Sequence, residues 1–560
     1  MLTDKIKSAD AVELERVAAD VRSDIINVIR KNGGHLASNL GVVEVTVALY
    51  KVFDFPKDKL IFDVGHQCYA HKIITRGREA FSSIRKKGGL SGFPKSGESV
   101  YDCYDFGHSS TSLSVACGFM RARKLKGENF EIISLIGDGA LSGGMIYEAL
   151  GDAYSIGEKQ IIILNDNKMA ISPTVGGMSA GLSDAAGTKE FFARFGFKYV
   201  DGVDGHDIGA LIDAFTAAKN GTEPVVIRVS TRKGKGLDEA TVSPEKYHSV
   251  SAESPAGSYS AVAGETLKEM AATDGNIVAV TAAMKDGTGL SAFAEAYPDR
   301  FIDVGICEEH AATMCGAMAK AGLKPYFAVY SSFMQRAFDQ IIHDNALQNL
   351  DVKYLVDRSG AVNDDGETHQ GIFNLSFLSL IPNMKIVAPK NFADLKYTLP
   401  QTLAEKGPIA VRYPKSSLSE GDDADQTAFG RWAEPDSDAD GIILTTGAVM
   451  YAKGVKLAKS IMKNGLKLST VNAKYIWPLD ENWLVEFADK PIMILEDNER
   501  RGGFYEAVLS FYADKGLRAG LTAVNFPQSF LCVGTLDELL DEYGFSDDRL
   551  LSLAGAFFAK

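Results

Sequence analysis

Two short polar clusters, each at the end of an apolar run, are where this chain could do chemistry. Gly137-Asp138-Gly139 follows the run Glu131–Ile136, and Asn165-Asp166-Asn167 closes the next, Gln160–Asn165. If both runs are strands of one parallel sheet, their carboxyl ends open on the same edge, where ligands bind. A hard cation such as Mg²⁺ takes oxygen ligands in octahedral geometry and commonly bridges protein carboxylates to phosphates. Asp138, Asn167 and a main-chain carbonyl near Met169 can supply three such oxygens. Glycines at 137, 139, 143 and 144 let the backbone approach a diphosphate, and the helix expected over Gly144–Ser155 points its positive end at it. Either cluster alone reads as a tight turn or an Asx-rich loop. Together, after consecutive strands, they predict a diphosphate and metal cradle.

The surrounding pattern supplies those strands. Over residues 10–240, strand-like runs (Lys59–Val64, Glu131–Ile136, Gln160–Asn165) alternate with helical patterns, which implies a parallel sheet with helices on both faces. The polar stretch Lys246–Tyr259 suits a linker. A second α/β segment has strands near Ile277–Thr281, Tyr326–Tyr330, Tyr354–Asp357 and Ile386–Ala388. The acidic runs Ser419–Asp425 and Glu434–Asp440 bracket a further boundary. A third segment has strands at Gly441–Thr446, Ser469–Asn472 and Pro491–Glu496, with helices over Tyr451–Asn464 and Phe504–Lys515. The expected architecture is three consecutive α/β domains, 1–245, 258–425 and 438–560.

Composition narrows the class. At 560 residues the chain is long enough for about three domains, each with its own core. Hydrophobic residues at 46% and charged residues at 24% are ordinary globular values, which argues against disorder. A net charge of −14 opposes non-specific attraction to nucleic acid or anionic membranes, so neither is an expected partner. The six cysteines are scattered without metal-ligand spacing and read as reduced thiols. The charged stretch Met1–Asp20 lacks the apolar core of a signal peptide, and no run approaches the ~18 apolar residues of a membrane span, so a cytoplasmic location is expected.

The spacing of the two clusters resembles the signature of thiamine-diphosphate enzymes. The resemblance sharpens in Gly34-His35-Leu36-Ala37-Ser38-Asn39-Leu40-Gly41, Asp63-Val64-Gly65-His66-Gln67 and Gly107-His108-Ser109-Ser110-Thr111-Ser112. It continues through Asp303-Val304-Gly305-Ile306-Cys307-Glu308-Glu309-His310, Tyr330-Ser331-Ser332-Phe333-Met334-Gln335-Arg336 and Asp364-Asp365-Gly366-Glu367-Thr368-His369-Gln370-Gly371. In kind and order these motifs are similar to those of the 1-deoxy-D-xylulose-5-phosphate synthases, across nearly the whole chain.

That resemblance implies two thiamine-diphosphate-binding folds followed by a transketolase C-terminal-like domain, with domains one and two of a chain forming the site of a homodimer. It implies thiamine diphosphate and Mg²⁺ as cofactors, and the condensation of pyruvate with D-glyceraldehyde 3-phosphate, with loss of CO₂, to give 1-deoxy-D-xylulose 5-phosphate for isoprenoid and thiamine synthesis. Metal ligands would be Asp138, Asn167 and Met169. Cofactor contacts would come from His66, Gly107, His108, Ser109, Gly137, Gly139, Ala140, Phe333 and Glu308. Glu308 would exchange a proton with the aminopyrimidine ring. His35, His66, His369 and His248, as imidazoles that titrate near neutrality, would serve the reacting carbons. Tyr330, Arg358, Asp365 and Arg412 would hold the phosphorylated acceptor, although arginines at strand ends also form ordinary ion pairs. His71, His206 and His343 read as structural, and His310 is left open.

The chain also departs from the family. The stretch Ser172–Gly187 runs almost directly into Glu190–Gly196, where the family has a longer helical region, so any lid over the site must differ. Leu237 stands where a tyrosine is usual, Asn374 where an aspartate is usual, and Cys307 and Glu309 replace Ala and Gln. A transketolase-like paralogue with another donor or acceptor, or a non-catalytic cofactor-binding homologue, therefore stays open.

Overall fold

The structure, a computed structural model, describes residues 2–170, 173–177, 181, 184–250, 257–363 and 365–559. Parts of the shortened stretch 172–187 and of the linker 246–259, together with Asp364, lie outside them. The strands are β1 (Lys59–Phe62), β2 (Ile132–Gly137), β3 (Ile161–Asp166), β4 (Lys198–Asp204), β5 (Val225–Ser230), β6 (Ile277–Thr281), β7 (Phe301–Asp303), β8 (Lys324–Tyr330), β9 (Lys353–Asp357), β10 (Lys385–Val387), β11 (Ile409–Arg412), β12 (Gly441–Thr445), β13 (Leu468–Asn472), β14 (Tyr475–Trp477), β15 (Ile492–Glu499) and β16 (Leu521–Phe526). They form three sheets, one for each expected α/β domain. The chain divides into two compact units, one made of the residues up to 254 with Gly305–Cys307, the other of the rest.

The first unit holds a parallel sheet in the order β1-β2-β3-β5-β4. Its central strands are apolar runs because both faces are covered. Successive side chains alternate between faces: Ile133, Leu135, Ile161 and Ile163 join one core, while Ile132, Ile136, Ile162 and Leu164 join the other. On the first face lies the helix Ala11–Asn32, opened by a capping box between Asp10 and Glu13 and buried along Leu14, Val17, Val21, Ile25 and Ile29. Such a cap is worth about 1 kcal/mol. The helix ends at Gly33 and delivers the chain to His35. β1 stops two residues short of the expected Val64, because Val64 (φ 61°) and Gly65 (φ 87°) turn into the left-handed region. The expectation passed over β4, whose edge position leaves most of its side chains exposed, so that its sequence lacks an apolar run.

The second unit holds two sheets. One has the order β14-β10-β11-β9-β8-β6-β7, parallel except for β14, which pairs antiparallel with β10. β14 comes from the third segment of sequence and closes the exposed edge that β10 would otherwise present. The other sheet, β13-β12-β15-β16, is parallel throughout.

Candidate active site

In the first sheet Gly137 is in register with Asn165, so Asp138 and Asn167 leave neighbouring strands at one edge. Asp138 is 5% exposed, and neither of its carboxylate oxygens has a well-formed hydrogen bond. Burial, assisted by the charge of Asp166, pushes it up to about 7 despite the nearby amides of Gly139 and Lys168. A cation would supply the direct oxygen-bound partner that the Asp138 carboxylate lacks. Asp166 is already served, by Nε and Nη2 of Arg228 at 2.9 and 2.6 Å. The half-buried Asn167 accepts from the Met169 amide at 3.0 Å, a turn carried through Lys168 at φ 61°. One carboxylate, one amide oxygen and a main-chain carbonyl are hard donors that can hold Mg²⁺. Among the described residues no group of three or more His, Cys, Asp or Glu offers a competing metal site.

Loops pack tightly around this edge. A Cβ on Gly139 would lie 2.8 Å from that of Ala170, and one on Gly143 would overlap the Ser110 hydroxyl. The loop Gly107–Ser112 is built around Asp63, which accepts from the Ser110 amide at 2.8 Å and the Ser112 hydroxyl at 2.6 Å. Ser110 in turn donates to the Ala140 carbonyl at 2.8 Å, joining that loop to the cradle. Ser110 stands at φ 67°, a conformation that costs a non-glycine residue free energy and is common where function demands it.

Three of the singled-out histidines come together. The rings of His35, His66 and His248 lie 5.4 to 5.7 Å apart, centroid to centroid. Asn39 donates to the carbonyls of His35 (2.7 Å) and His66 (2.6 Å) while accepting from the Tyr69 amide (2.9 Å), which fixes both loops. His248, expected on a linker, is anchored because Gly34 and Val250 exchange backbone hydrogen bonds of 2.7 and 2.8 Å. Burial and then the charge of Lys233 push His66 down to about 3, and burial holds His248 well below the usual range. Both are neutral near pH 7.

Lys233 was not singled out from the sequence. It is 5% exposed, donates to the Ala170 carbonyl at 2.6 Å, and is pushed down to about 8 by burial against the pull of Asp138. The signal available was Lys233-Gly234-Lys235-Gly236, just past β5 at the same sheet edge.

In the second unit Glu308 opens the helix Glu308–Lys320. A helix N-terminus favours a carboxylate by up to about 1 kcal/mol, and the charge of Arg336 acts in the same direction. Burial wins, since Glu308 is 2% exposed, lacks a partner at Oε2 and is pushed up to about 7. Phe333 stacks near Tyr330 at 5.7 Å and meets His369 edge to face at 5.3 Å. The Arg358 guanidinium lies 3.3 Å over the Tyr330 ring; burial pulls its titration down, but Tyr330, Asp357 and Asp365 together raise it, and its backbone stands at φ 61°. Tyr330, Phe333, Arg358, Asp365 and His369 thus form one group.

Arg412 is placed differently. It is 2% exposed, with Nη1 2.7 Å from Asp497 and Nε 2.9 Å from the Asn374 side-chain oxygen, leaving Nη2 without a partner. Asn374 donates to Ser331, Ser359 and the Gly371 carbonyl at 2.9 to 3.0 Å. An amide can donate to these and accept from Arg412; an ionised aspartate could only accept. Of the remaining histidines, His71 is buried between Tyr50 and Asp102, His206 pairs with Glu44, and the exposed His343 pairs with Asp344.

Residues 2–191 and 183–231 match the family model described as 1-deoxy-D-xylulose-5-phosphate synthase, 256–420 the transketolase pyrimidine binding domain, and 430–550 the transketolase C-terminal domain. The 1-deoxy-D-xylulose-5-phosphate synthase of Clostridium tetani is 41% identical over 599 aligned positions, covering 98% of this chain and 97% of the relative. That of Carboxydothermus hydrogenoformans is 41% identical over 604, with the same coverage. A solved transketolase from Campylobacter jejuni is 18% identical, with a TM-score of 0.47, and covers 98% of this chain and all of its own. The alignments exceed the 560 residues present, so gaps fall in this chain, and the first family match breaks at 183–191, within the stretch expected to be short. With 41% identity over almost the full length of both proteins, the chain belongs to the 1-deoxy-D-xylulose-5-phosphate synthase family.

Proposed function

We propose that this chain is a thiamine-diphosphate-dependent transferase that joins a two-carbon unit from pyruvate to D-glyceraldehyde 3-phosphate, releasing CO₂ and 1-deoxy-D-xylulose 5-phosphate. The observation that carries the reading is the buried Asp138 carboxylate, lacking a well-formed hydrogen bond, in register beside the Asn165-Asp166-Asn167 loop. Thiamine diphosphate, when bound, supplies the thiazolium carbon that holds the two-carbon unit and an aminopyrimidine able to move its proton.

The chain's own part is to bind, orient and move protons. Asp138, Asn167 and the Met169 carbonyl hold Mg²⁺; Gly107, His108, Ser109, Gly137, Gly139 and Ala140 bring backbone and hydroxyl groups to the diphosphate, and Lys233 adds a buried positive charge. Glu308, balanced near pH 7, holds a proton on its carboxyl that it would exchange with the ring nitrogen of a bound pyrimidine, and Phe333 would offer its ring face to that group. His35, His66 and His248, two of them held neutral by burial, would hydrogen-bond the carbonyl and carboxylate oxygens of the donor, and His369 the carbonyl and hydroxyl oxygens of the acceptor. Arg358 and Arg412 hold the acceptor phosphate, and Tyr330 and Asp365 its remaining oxygens. The working form is a homodimer in the cytoplasm, with domains at 1–245, 258–425 and 438–560.

The test is CO₂ release from pyruvate by purified protein with thiamine diphosphate and Mg²⁺, with and without D-glyceraldehyde 3-phosphate, beside Glu308→Ala. Release that needs or rises with the aldehyde, is lost in the variant and yields the deoxy sugar supports the reading. Cofactor binding with pyruvate untouched would move the assignment to a paralogue with another donor.

A further inference from the structure

The third sheet ends in a cavity that no step above uses. It has a volume of about 620 Å³, and its wall includes Arg500, Arg501, Asn525, Gln528, Tyr543 and Arg549. It opens past the carboxyl ends of β15 and β16, the side of a parallel sheet on which α/β domains bind ligands. In a chain of net charge −14, three guanidinium groups on one concavity reverse the local sign. Glu506 and Glu542 also line it. Among the described residues none of the three arginines forms an ion pair within 4 Å, although the charge of Arg501 acts on Glu499, and Glu506 accepts from the Gly502 amide at 2.9 Å.

The arginines come from two parts of the chain that are distant in sequence, the turn after β15 and the helix Asp547–Phe558. Two of them have a defined seat. Arg500 lies 5.1 Å over the Tyr505 ring, and Arg549 packs across Gly544, where an added Cβ would stand 3.2 Å from its guanidinium carbon. The first two amides of the neighbouring helix Phe504–Asp514, those of Phe504 and Tyr505, point inward to the buried Glu496 at 2.6 and 3.1 Å and are not turned to the cavity. The arginine side chains are the cationic donors on this wall, and a guanidinium presents paired donors that match phosphate oxygens.

We propose that this cavity binds a phosphate-bearing anion, the phosphomonoester or diphosphate group of a small metabolite, with Arg501 and Arg549 as its principal contacts. The test is calorimetric titration of inorganic diphosphate, and separately inorganic phosphate, into holoenzyme saturated with thiamine diphosphate and Mg²⁺ and freed of excess metal. Saturable binding that weakens about tenfold or more in Arg501→Ala/Arg549→Ala, as expected for lost charge-assisted hydrogen bonds, and is unchanged in Arg358→Ala is the expected result. Arg501→Lys/Arg549→Lys, which keeps the charge but not the fork, should fall between, and all variants should melt at the wild-type temperature without anion. Equal affinity in wild type and the alanine pair, loss confined to Arg358→Ala, or no saturable binding would each overturn the assignment.

Discussion

Arg412 and Asp497 meet at 2.7 Å in the interior of the second unit, joining the end of β11 to β15. Thr446 donates to the same Asp497 oxygen at 2.9 Å. Removing one partner of a buried pair leaves the other charge unsolvated and costs about 3–5 kcal/mol. Arg412→Ala should therefore lose stability of that order in urea unfolding, and Arg412→Met with Asp497→Leu should lose distinctly less. A raised KM for the aldehyde phosphate in that double variant would mark the free Nη2 as a substrate contact, and an unchanged KM would leave Arg412 purely structural.

Arg358 forms no ion pair of that kind among the described residues, although Asp357 and Asp365 are near enough to act on its charge, and it stacks on Tyr330 at 3.3 Å. Arg358→Ala should raise KM for the phosphorylated acceptor by about tenfold or more, the worth of a charge-assisted contact, with little change in KM for pyruvate. A uniform fall in kcat with both KM values intact would count against the phosphate role.

Glu308, raised from 4.5 to about 7, is protonated in the folded protein over a range where the unfolded chain has already ionised. Its contribution to stability is complete below pH 4.5 and is lost as pH rises towards 7, roughly 3 kcal/mol in all. Glu308→Gln should flatten that part of the cofactor-free stability curve and melt higher than wild type at pH 8, while activity falls by at least about a hundredfold. A variant less stable at pH 8 would show the carboxyl to be paired.

His66 has the opposite sign. Its folded value, about 3, lies below the ordinary 6.5, so its contribution is complete above pH 6.5 and is lost as pH falls towards 3. His66→Asn should reduce the loss of stability across that window, read by thermal melts between pH 7 and 4. The same neutrality predicts that kcat/KM carries no acid-limb inflection from His66 near 6.5.

Asp138→Asn removes a carboxylate that burial already pushes up to about 7. The variant should be no less stable than wild type without ligands at pH 8, yet lose most of the rise in melting temperature given by thiamine diphosphate with Mg²⁺. Gly143→Ala, which would drive a methyl group into Ser110, should lower the ligand-free melting temperature instead. Equal ligand-induced shifts in Asp138→Asn and wild type would remove Asp138 from the metal site.

Sequence alone determined the three α/β segments, most of their central strands and the common edge to which Asp138 and Asn167 come. Short β-branched runs such as Ile132–Ile136 and Ile161–Leu164, bounded by turn residues, read as strands buried on both faces, and a parallel pair then brings the turns at Asp138 and Asn167 to one edge. The tertiary structure decided what depends on depth and on distant partners. β4 carries little apolar signal because most of its side chains are exposed, and β14, though apolar, is only three residues long and is specified by its pairing with β10. Lys233 is an ordinary lysine until burial beside Ala170 and the pull of Asp138 single it out. Glu308 and Glu309 are adjacent carboxylates in the sequence, and only burial of the first moves its titration to the range where proton exchange is useful. Arg412 and Arg358 look alike on the strand ends; the fold gave one of them to Asp497 and Asn374 and the other to Tyr330, because charge pairing in the interior is settled by neighbours far along the chain.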